Sequence, residues 1–263
     1  MKKLNIAGLS GFILCFAAII YGIGSNGGLH TIINFLHFPS FLVTFGGAIF
    51  AVLTTSDSFQ DFLYGLKGFI DAFTLKVQDT DEISSQILGL SDVARKEGLL
   101  ALEEKASTLD NPFLSKSISL IVDGTDPELV KDLLESELNH KYDNERKRVQ
   151  FWETLGSYAP AWGMVGTLLG LINMMKTMGS DPGAVGDGMS LALITTLYGS
   201  LIANWICIPL ARKLDKNCEA QYLEMELIIE GTLSIQAGEN PRIIKEKIKA
   251  ILEKEELEEE TAA

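Results

Sequence analysis

The stretch LNIAGLSGFILCFAAIIYGIGSNGGLHTIINFLHFPSFLVTFGGAIFAVLTTS, residues 4–56, holds no Asp, Glu, Lys or Arg over 53 consecutive positions. A soluble helix of that composition would expose one face to water and carry charge on it, whereas a crossing of the hydrocarbon core needs roughly 20 predominantly apolar residues. The stretch is too long for one crossing. Gly22, Gly24, Gly27, Gly28 and the polar Ser25 and Asn26 divide it into a first span near residues 4–24 and a second near 32–53, with Pro39 starting or bending the second. A cleaved signal peptide is the competing reading, but the apolar run outlasts an h-region and lacks a clear small-x-small cleavage site. The first span is expected to be retained.

Two further uncharged windows, residues 154–175 and 188–211, predict a third span near 155–175 and a fourth near 189–210. Basic residues then set the orientation. Lys2 and Lys3 precede the first span, eleven Lys and Arg lie in residues 57–153, and Arg212, Lys213 and Lys216 follow the fourth span. The link between spans one and two has no charge, and that between three and four sets Lys176 against Asp181 and Asp187. All basic ends therefore share one side, expected to be the cytoplasm, with both termini on it. Residues 57–153 and 212–263 hold 52 of the 57 charged residues.

The fold class is thus an all-α integral membrane protein with four spans in a two–two arrangement. It divides into residues 1–56 (spans one and two), 57–153 (a helical cytoplasmic segment), 154–212 (spans three and four) and 213–263 (a helical tail). In the second segment Ile83, Ile87, Leu90 and Ala94 recur at helical spacing, as do Leu99, Leu102 and Ala106 after a break. Asp110-Asn111-Pro112 and Gly124-Thr125-Asp126-Pro127 punctuate it, with Asp126 as N-cap and Pro127 as first helical residue. From Pro127 a charged helix runs towards Trp152 and into the third span. A separate amphipathic helix with Leu223, Leu227 and Leu233 stops near Gly238, and the Glu-rich run 253–260 is read as a frayed, solvated tail.

Spans three and four are rich in small and hydroxyl residues. Ala159 with Gly163 and Gly166 with Gly170 form small-xxx-small pairs. Ala192, Thr196, Ser200 and Asn204 recur every four residues, with Thr195, Gly199 and Ala203 beside them. Helix–helix packing accounts for such a stripe, and so does a polar path. No span holds an Asp, Glu, Lys or Arg, so a self-contained proton carrier lacks the carboxylate or cation it would need there. If ions move here, a partner supplies the carboxylate, and Thr167, Thr195 and Thr196 line the path. His30 and His37 fit interfacial anchors better than relays.

Other classes find no support. The formal net charge of −13 and the lack of an aromatic-studded basic stripe exclude a nucleic-acid partner. HExxH, GxSxG and GxxxxGK[ST] are absent, so no enzyme and no cofactor are implied. Cys15, Cys207 and Cys218 lack metal-ligand spacing, and the first two lie in spans.

The two–two layout, the run Ala159-Pro160-Ala161-Trp162-Gly163-Met164-Val165-Gly166-Thr167 and the run Ala94-Arg95-Lys96-Glu97-Gly98-Leu99-Leu100-Ala101-Leu102-Glu103 resemble the MotA/PomA family. Val122-Asp123-Gly124 and Gln236-Ala237-Gly238-Glu239-Asn240-Pro241 extend the resemblance to the whole chain. It implies the A subunit of the bacterial flagellar stator in the inner membrane: a pentameric ring around two single-span MotB/PomB-like subunits that bring the missing Asp. It further implies Pro160 and Pro241 as torque residues, Arg95, Lys96 and Glu103 as the contact with the rotor protein FliG, and Thr167 and Thr196 as the hydroxyls beside the partner Asp. TolQ and ExbB relatives have three spans, which disfavours them here. A purely structural membrane scaffold would conduct nothing with any single-span partner. The coupling ion, H⁺ or Na⁺, stays open, although the adjacent Thr195 and Thr196 resemble the sodium-driven branch.

Overall fold

The computed structural model describes residues 3–4, 6–25, 28–75, 80–178 and 182–262. Helix α1 spans Ile6–Ser25, and α2 spans Phe38–Thr55. Then follow α3 (Phe59–Phe73), α4 (Thr80–Glu97), α5 (Leu102–Ser107), α6 (Pro112–Val122) and α7 (Pro127–Thr177). One rod, α8, covers residues 182–236, and α9 covers Pro241–Ala262. The extended backbone amounts to two antiparallel dipeptides among the described residues, Lys3–Leu4 against Thr74–Leu75. Among the described residues, four helices are long and apolar enough to cross a membrane.

The second crossing starts later than the apolar run implies. Residues Leu29–Phe35 form a 3₁₀ helix, and α2 begins at Phe38. His37 is the N-cap: its Nδ1 accepts from the Ser40 amide at 3.3 Å and pairs with the Ser40 hydroxyl at 2.7 Å. Pro39 then occupies the first turn, where its missing N–H costs no helical bond. The polar cap outweighs the apolar residues before it, which sets the start at Phe38 rather than near residue 32.

The fourth crossing and the amphipathic helix after it, separate in the sequence reading, are one rod. Its residues Ile202–Cys207 form a π turn, and Pro209 follows two residues later. Proline has no N–H to donate and its ring collides with the carbonyl four residues back. Widening the preceding turn relieves that collision, so the helix continues beyond residue 210, the expected end of the span. The acidic run expected as a frayed tail likewise continues as helix to Ala262. Lys249 and Glu253, one turn apart at 3.1 Å, support α9 just before that run. As expected, α7 passes from Pro127 into the third span without a break, its first turn capped by Asp126, which accepts from the Glu128 amide at 2.9 Å.

The chain divides into two compact units, and two of the three divisions fall inside α7 and α8. Unit one comprises Met1–Lys76 and Glu145–Asn217. Its core joins Val52, Phe62, Trp152, Leu155, Ile202 and Leu210. The Trp152 indole donates to the Gly65 carbonyl at 3.1 Å, fixing α3 against α7. Arg148 pairs with Asp71 at 3.0 Å and Glu145 at 3.1 Å and stacks 3.9 Å from the Tyr64 ring. Burial and the nearby Glu145 carboxylate raise the Tyr64 pKa. Large apolar side chains such as Leu14, Tyr21, Phe50, Met164 and Leu193 face outwards, as lipid-facing residues do.

Unit two comprises Val77–Asn144 and Cys218–Ala263. Ile87, Leu102, Leu114, Ile118, Leu134 and Leu227 form its core and are fully buried. Asn111 caps α6, accepting from the amides of Phe113 and Leu114 at 3.0 and 3.1 Å, while its own amide donates to Glu224 at 2.5 Å. Between α8 and α9 the chain turns at Gly238, whose φ of +71° suits a residue without Cβ. Lys247 of α9 then reaches back to Glu230 and Glu239, each at 2.9 Å, and to the Ser234 hydroxyl at 3.1 Å.

This clamp has a defined pH window. Its hydrogen bond from Lys247 lowers the Glu239 pKa, and the hydrogen bonds to Glu230 and Glu239 raise that of Lys247. The carboxylate contribution is therefore present above the ordinary value of 4.5 and is lost as pH falls through the lower, folded value. The ammonium contribution is complete below 10.5 and is lost as pH rises through the higher, folded value. Because both groups are partly solvated, the expected effect is at most about 1 kcal/mol. Lys247→Met should remove the part of the acid-side loss of helical melting temperature below pH 4.5 that Glu239 causes, read by circular dichroism of the detergent-solubilised chain.

Candidate functional site

In unit one, α7 and α8 touch backbone to backbone along their small residues. A Cβ added at Gly166 would lie 2.5 Å from Cγ2 of Thr195, and one at Gly163 would lie 2.9 Å from its carbonyl oxygen. A Cβ at Gly170 would lie 2.6 Å from the Gly188 carbonyl, and one at Gly199 would lie 2.7 Å from that of Ala159. Nothing larger than glycine fits these four positions. The two stripes of the fourth span are thereby separated. Ala192, Thr195, Gly199 and Ala203 are buried, whereas Thr196, Ser200 and Asn204 are exposed on an open face.

Close approach brings three threonines to one carbonyl. The hydroxyls of Thr167, Thr195 and Thr196 lie 3.1, 3.0 and 3.3 Å from the Ala192 oxygen. Thr167 and Thr196 also lie 2.5 Å from each other, and Thr167 lies 3.1 Å from the Gly163 oxygen. Each hydroxyl carries one proton, so one member of the Thr167–Thr196 pair accepts from the other. When Thr196 donates inwards, its lone pairs remain on the open face and can accept from a protonated carboxyl or coordinate a cation.

Thr195 is placed differently from its neighbour. It is fully buried against Gly166, and its hydroxyl is spent on the Leu191 and Ala192 carbonyls at 3.0 Å. Its own carbonyl accepts from the Thr44 hydroxyl of α2 at 3.4 Å. Thr44 is a residue the sequence reading missed. Ser40, Thr44, Ala48 and Val52 recur every four residues and are all buried, a stripe that could have marked the inner face of the second span. Beyond the same end of that span, Tyr198 accepts from the His37 amide at 3.1 Å and donates to the Phe35 carbonyl. His37 is thus held in a cap, while His30 is exposed.

Pro160 lies within α7, two turns from Thr167, and is exposed. It denies the Gly156 carbonyl its helical donor. Gly156 faces the π turn of α8, since a Cβ there would lie 3.1 Å from Cβ of Cys207. Both helices are therefore irregular at the same level.

The remaining expected site residues belong to unit two. Arg95 and Lys96 end α4 and Glu103 opens α5, all exposed. They do not share one helix: Gly98, at φ +87°, breaks the chain between them. Among the described residues none of the three makes a salt bridge, so all are available to a partner. Pro241 opens α9 behind the Asn240 cap, whose Oδ1 accepts from the Arg242 amide at 3.1 Å.

Comparison with known proteins accords with these features. Residues 105–227 match the model of the MotA/TolQ/ExbB proton channel family. The chain is 37% identical to motility protein A of Treponema phagedenis, covering 98% of each sequence. It is 36% identical to the chemotaxis protein PomA of Vibrio alginolyticus, covering 95% of this chain and 96% of that one. A chain of the solved C. jejuni MotAB structure superposes with a TM-score of 0.84 at 26% identity, covering 94% of this chain and 96% of that one. The chain belongs to the motility protein A and PomA group of the MotA/TolQ/ExbB proton channel family.

Proposed function

We propose that this chain, a stator A subunit of the flagellar motor and not an enzyme, turns as a ring when cations pass between it and a MotB/PomB-like subunit. The observation that carries the reading is the Thr167–Thr196 pair on an open face between spans that hold no Asp, Glu, Lys or Arg. Such a face needs a carboxylate from outside the chain. A single-span partner with an Asp supplies it, and five A chains around two such partners give each Asp a succession of equivalent threonine sites. Both termini and residues 57–153 face the cytoplasm of a bacterial inner membrane, and residues 213–263 form the tail on the same side.

One unit charge crossing 100 mV releases about 2.3 kcal/mol. That suffices to bias a step over small-residue contacts but not to break a packed interface. The cation, H⁺ or Na⁺, neutralises the partner Asp, the ring advances, and release to the cytoplasm restores the charge. Turning drags Arg95, Lys96 and Glu103 past FliG, while Pro160 and Pro241 support torque by shaping the helices that carry the motion.

The deciding experiment measures ion flux in vesicles holding the chain alone, with an Asp-bearing single-span subunit, or with that subunit as its Asp→Asn variant. Flux is expected only in the second case. Flux through the chain alone, or undiminished flux with Asn, would refute the division of labour. Arg95→Glu is expected to cut swimming torque at least tenfold while flux persists, as checked by tethered-cell rotation beside the vesicle assay. Equal loss of both would place Arg95 in the pathway instead.

A further inference from the structure

Two adjoining cavities open on unit one beside the π turn of α8. The first, about 570 Å³, lies between α1 and α8 and is lined by Gly11, Phe12, Cys15, Trp205 and Leu210. The second, about 730 Å³, is lined by Arg212, Lys213 and Lys216. They share Asn204, Pro209 and Lys213, so an apolar groove runs without interruption into a basic mouth. We infer that this continuous groove and mouth bind one anionic phospholipid, with an acyl chain along α1 and the phosphate at Arg212, Lys213 and Lys216.

Three features support this. The groove runs at the level of the membrane spans, where an acyl chain is the ambient apolar ligand, and its volume falls in the range of ordinary ligand sites. The small residues Gly11 and Cys15 make the wall shallow, and a Cβ added at Gly11 would meet nothing within 4 Å. The three cations have no salt-bridge partner among the described residues, in a chain with a formal net charge of −13. Asp215, on the same turn, is already paired with Arg146. An unpaired cationic cluster at the end of an apolar groove matches a phosphate esterified to a lipid. A neutral headgroup leaves its charges unmet. The leaflet, the inner one, follows from the orientation proposed above; the site itself does not depend on it.

Each basic residue near an anionic surface contributes roughly a fivefold gain in binding. Arg212→Gln, Lys213→Gln and Lys216→Gln together should therefore lower retention of phosphatidylglycerol roughly a hundredfold. The measurement is native mass spectrometry of the intact stator complex after exchange with vesicles of phosphatidylglycerol, phosphatidylcholine or a mixture. One phosphatidylglycerol per A chain is expected, with phosphatidylcholine weakly held and excess inorganic phosphate unable to displace the lipid. Gly11→Leu, which fills the groove without a clash at its Cβ, should lose the lipid while the charges remain. Equal retention of both lipids overturns the inference, as does displacement by inorganic phosphate, or a lipid-free complex in which a neighbouring A chain covers Gly11. If the triple variant does not assemble, unchanged phosphatidylglycerol retention in Gly11→Leu is enough to refute it.

Discussion

Pro160→Ala is expected to abolish motor rotation while leaving the amount of protein, its assembly and its membrane insertion unchanged. An interior proline costs a helix about 3 kcal/mol relative to alanine, so the substitution makes α7 a better helix. The bond it restores runs from the new amide to the Gly156 carbonyl, on the face packed against Cys207 and Ile208. Straightening α7 there shifts the Ala159 carbonyl and Pro160 Cα, which already stand 2.7 and 3.0 Å from a Cβ position at Gly199. Backbones packed so closely that not even a Cβ fits at Gly199 leave the shifted turn no free room. The variant is expected to melt no lower than the parent chain yet give non-rotating tethered cells. Normal rotation would show that the proline only bends a helix. Lost rotation with lowered protein content would point to folding instead.

The number and type of elements were readable because charge is excluded from the bilayer core. Uncharged windows located four crossings, and Asp126 with Pro127 marked the start of the helix that runs on into the third span. What escaped was governed by single polar contacts. His37 and Ser40 set the start of α2, and no periodicity reports which ring nitrogen caps a helix. The fourth span and the amphipathic helix after it were read as two elements because the sequence does not display the π turn that carries one helix past Pro209.

The site was half readable for a related reason. Spacing by four grouped Ala192, Thr196, Ser200 and Asn204, and placed Thr195, Gly199 and Ala203 beside them. Both stripes are small and polar, so composition alone does not tell which packs and which stays open. The glycines of α7 decide it: they press on Thr195 and Gly199 and leave Thr196, Ser200 and Asn204 outside. Ala192 goes with the packed stripe because it sits against Gly170. Thr44 was missed because its role depends on a contact 151 residues away.

That division yields the other large effect. Thr196→Ala is expected to slow ion flux in the assembled stator at least tenfold, and Thr196→Ser to retain most of it. The alanine variant removes the outward lone pairs and leaves Thr167 turned towards the Gly163 and Ala192 carbonyls. A hydrogen bond to a charged group is worth about 1.5–3 kcal/mol, so losing it from the rate-limiting state slows flux ten- to a hundredfold. Thr195 separates the two ions. Its hydroxyl is buried and bonded to the Leu191 and Ala192 carbonyls, so Thr195→Val keeps the packing on Gly166 and releases those oxygens from their donor. A proton hopping to the partner Asp needs only the Thr196 hydroxyl and should pass almost unchanged. Na⁺ needs several hard oxygens at fixed distance, and freeing the Ala192 carbonyl disturbs the one atom on which three hydroxyls converge. The test is flux and torque against external Na⁺ at fixed pH in the parent chain, Thr196→Ala, Thr196→Ser and Thr195→Val. A parent chain that runs equally without Na⁺ excludes sodium coupling, and Thr195→Val should then be nearly silent. A sodium-dependent parent with a silent Thr195→Val removes Ala192 from the ion's ligands, and a silent Thr196→Ala removes the pathway from this face altogether.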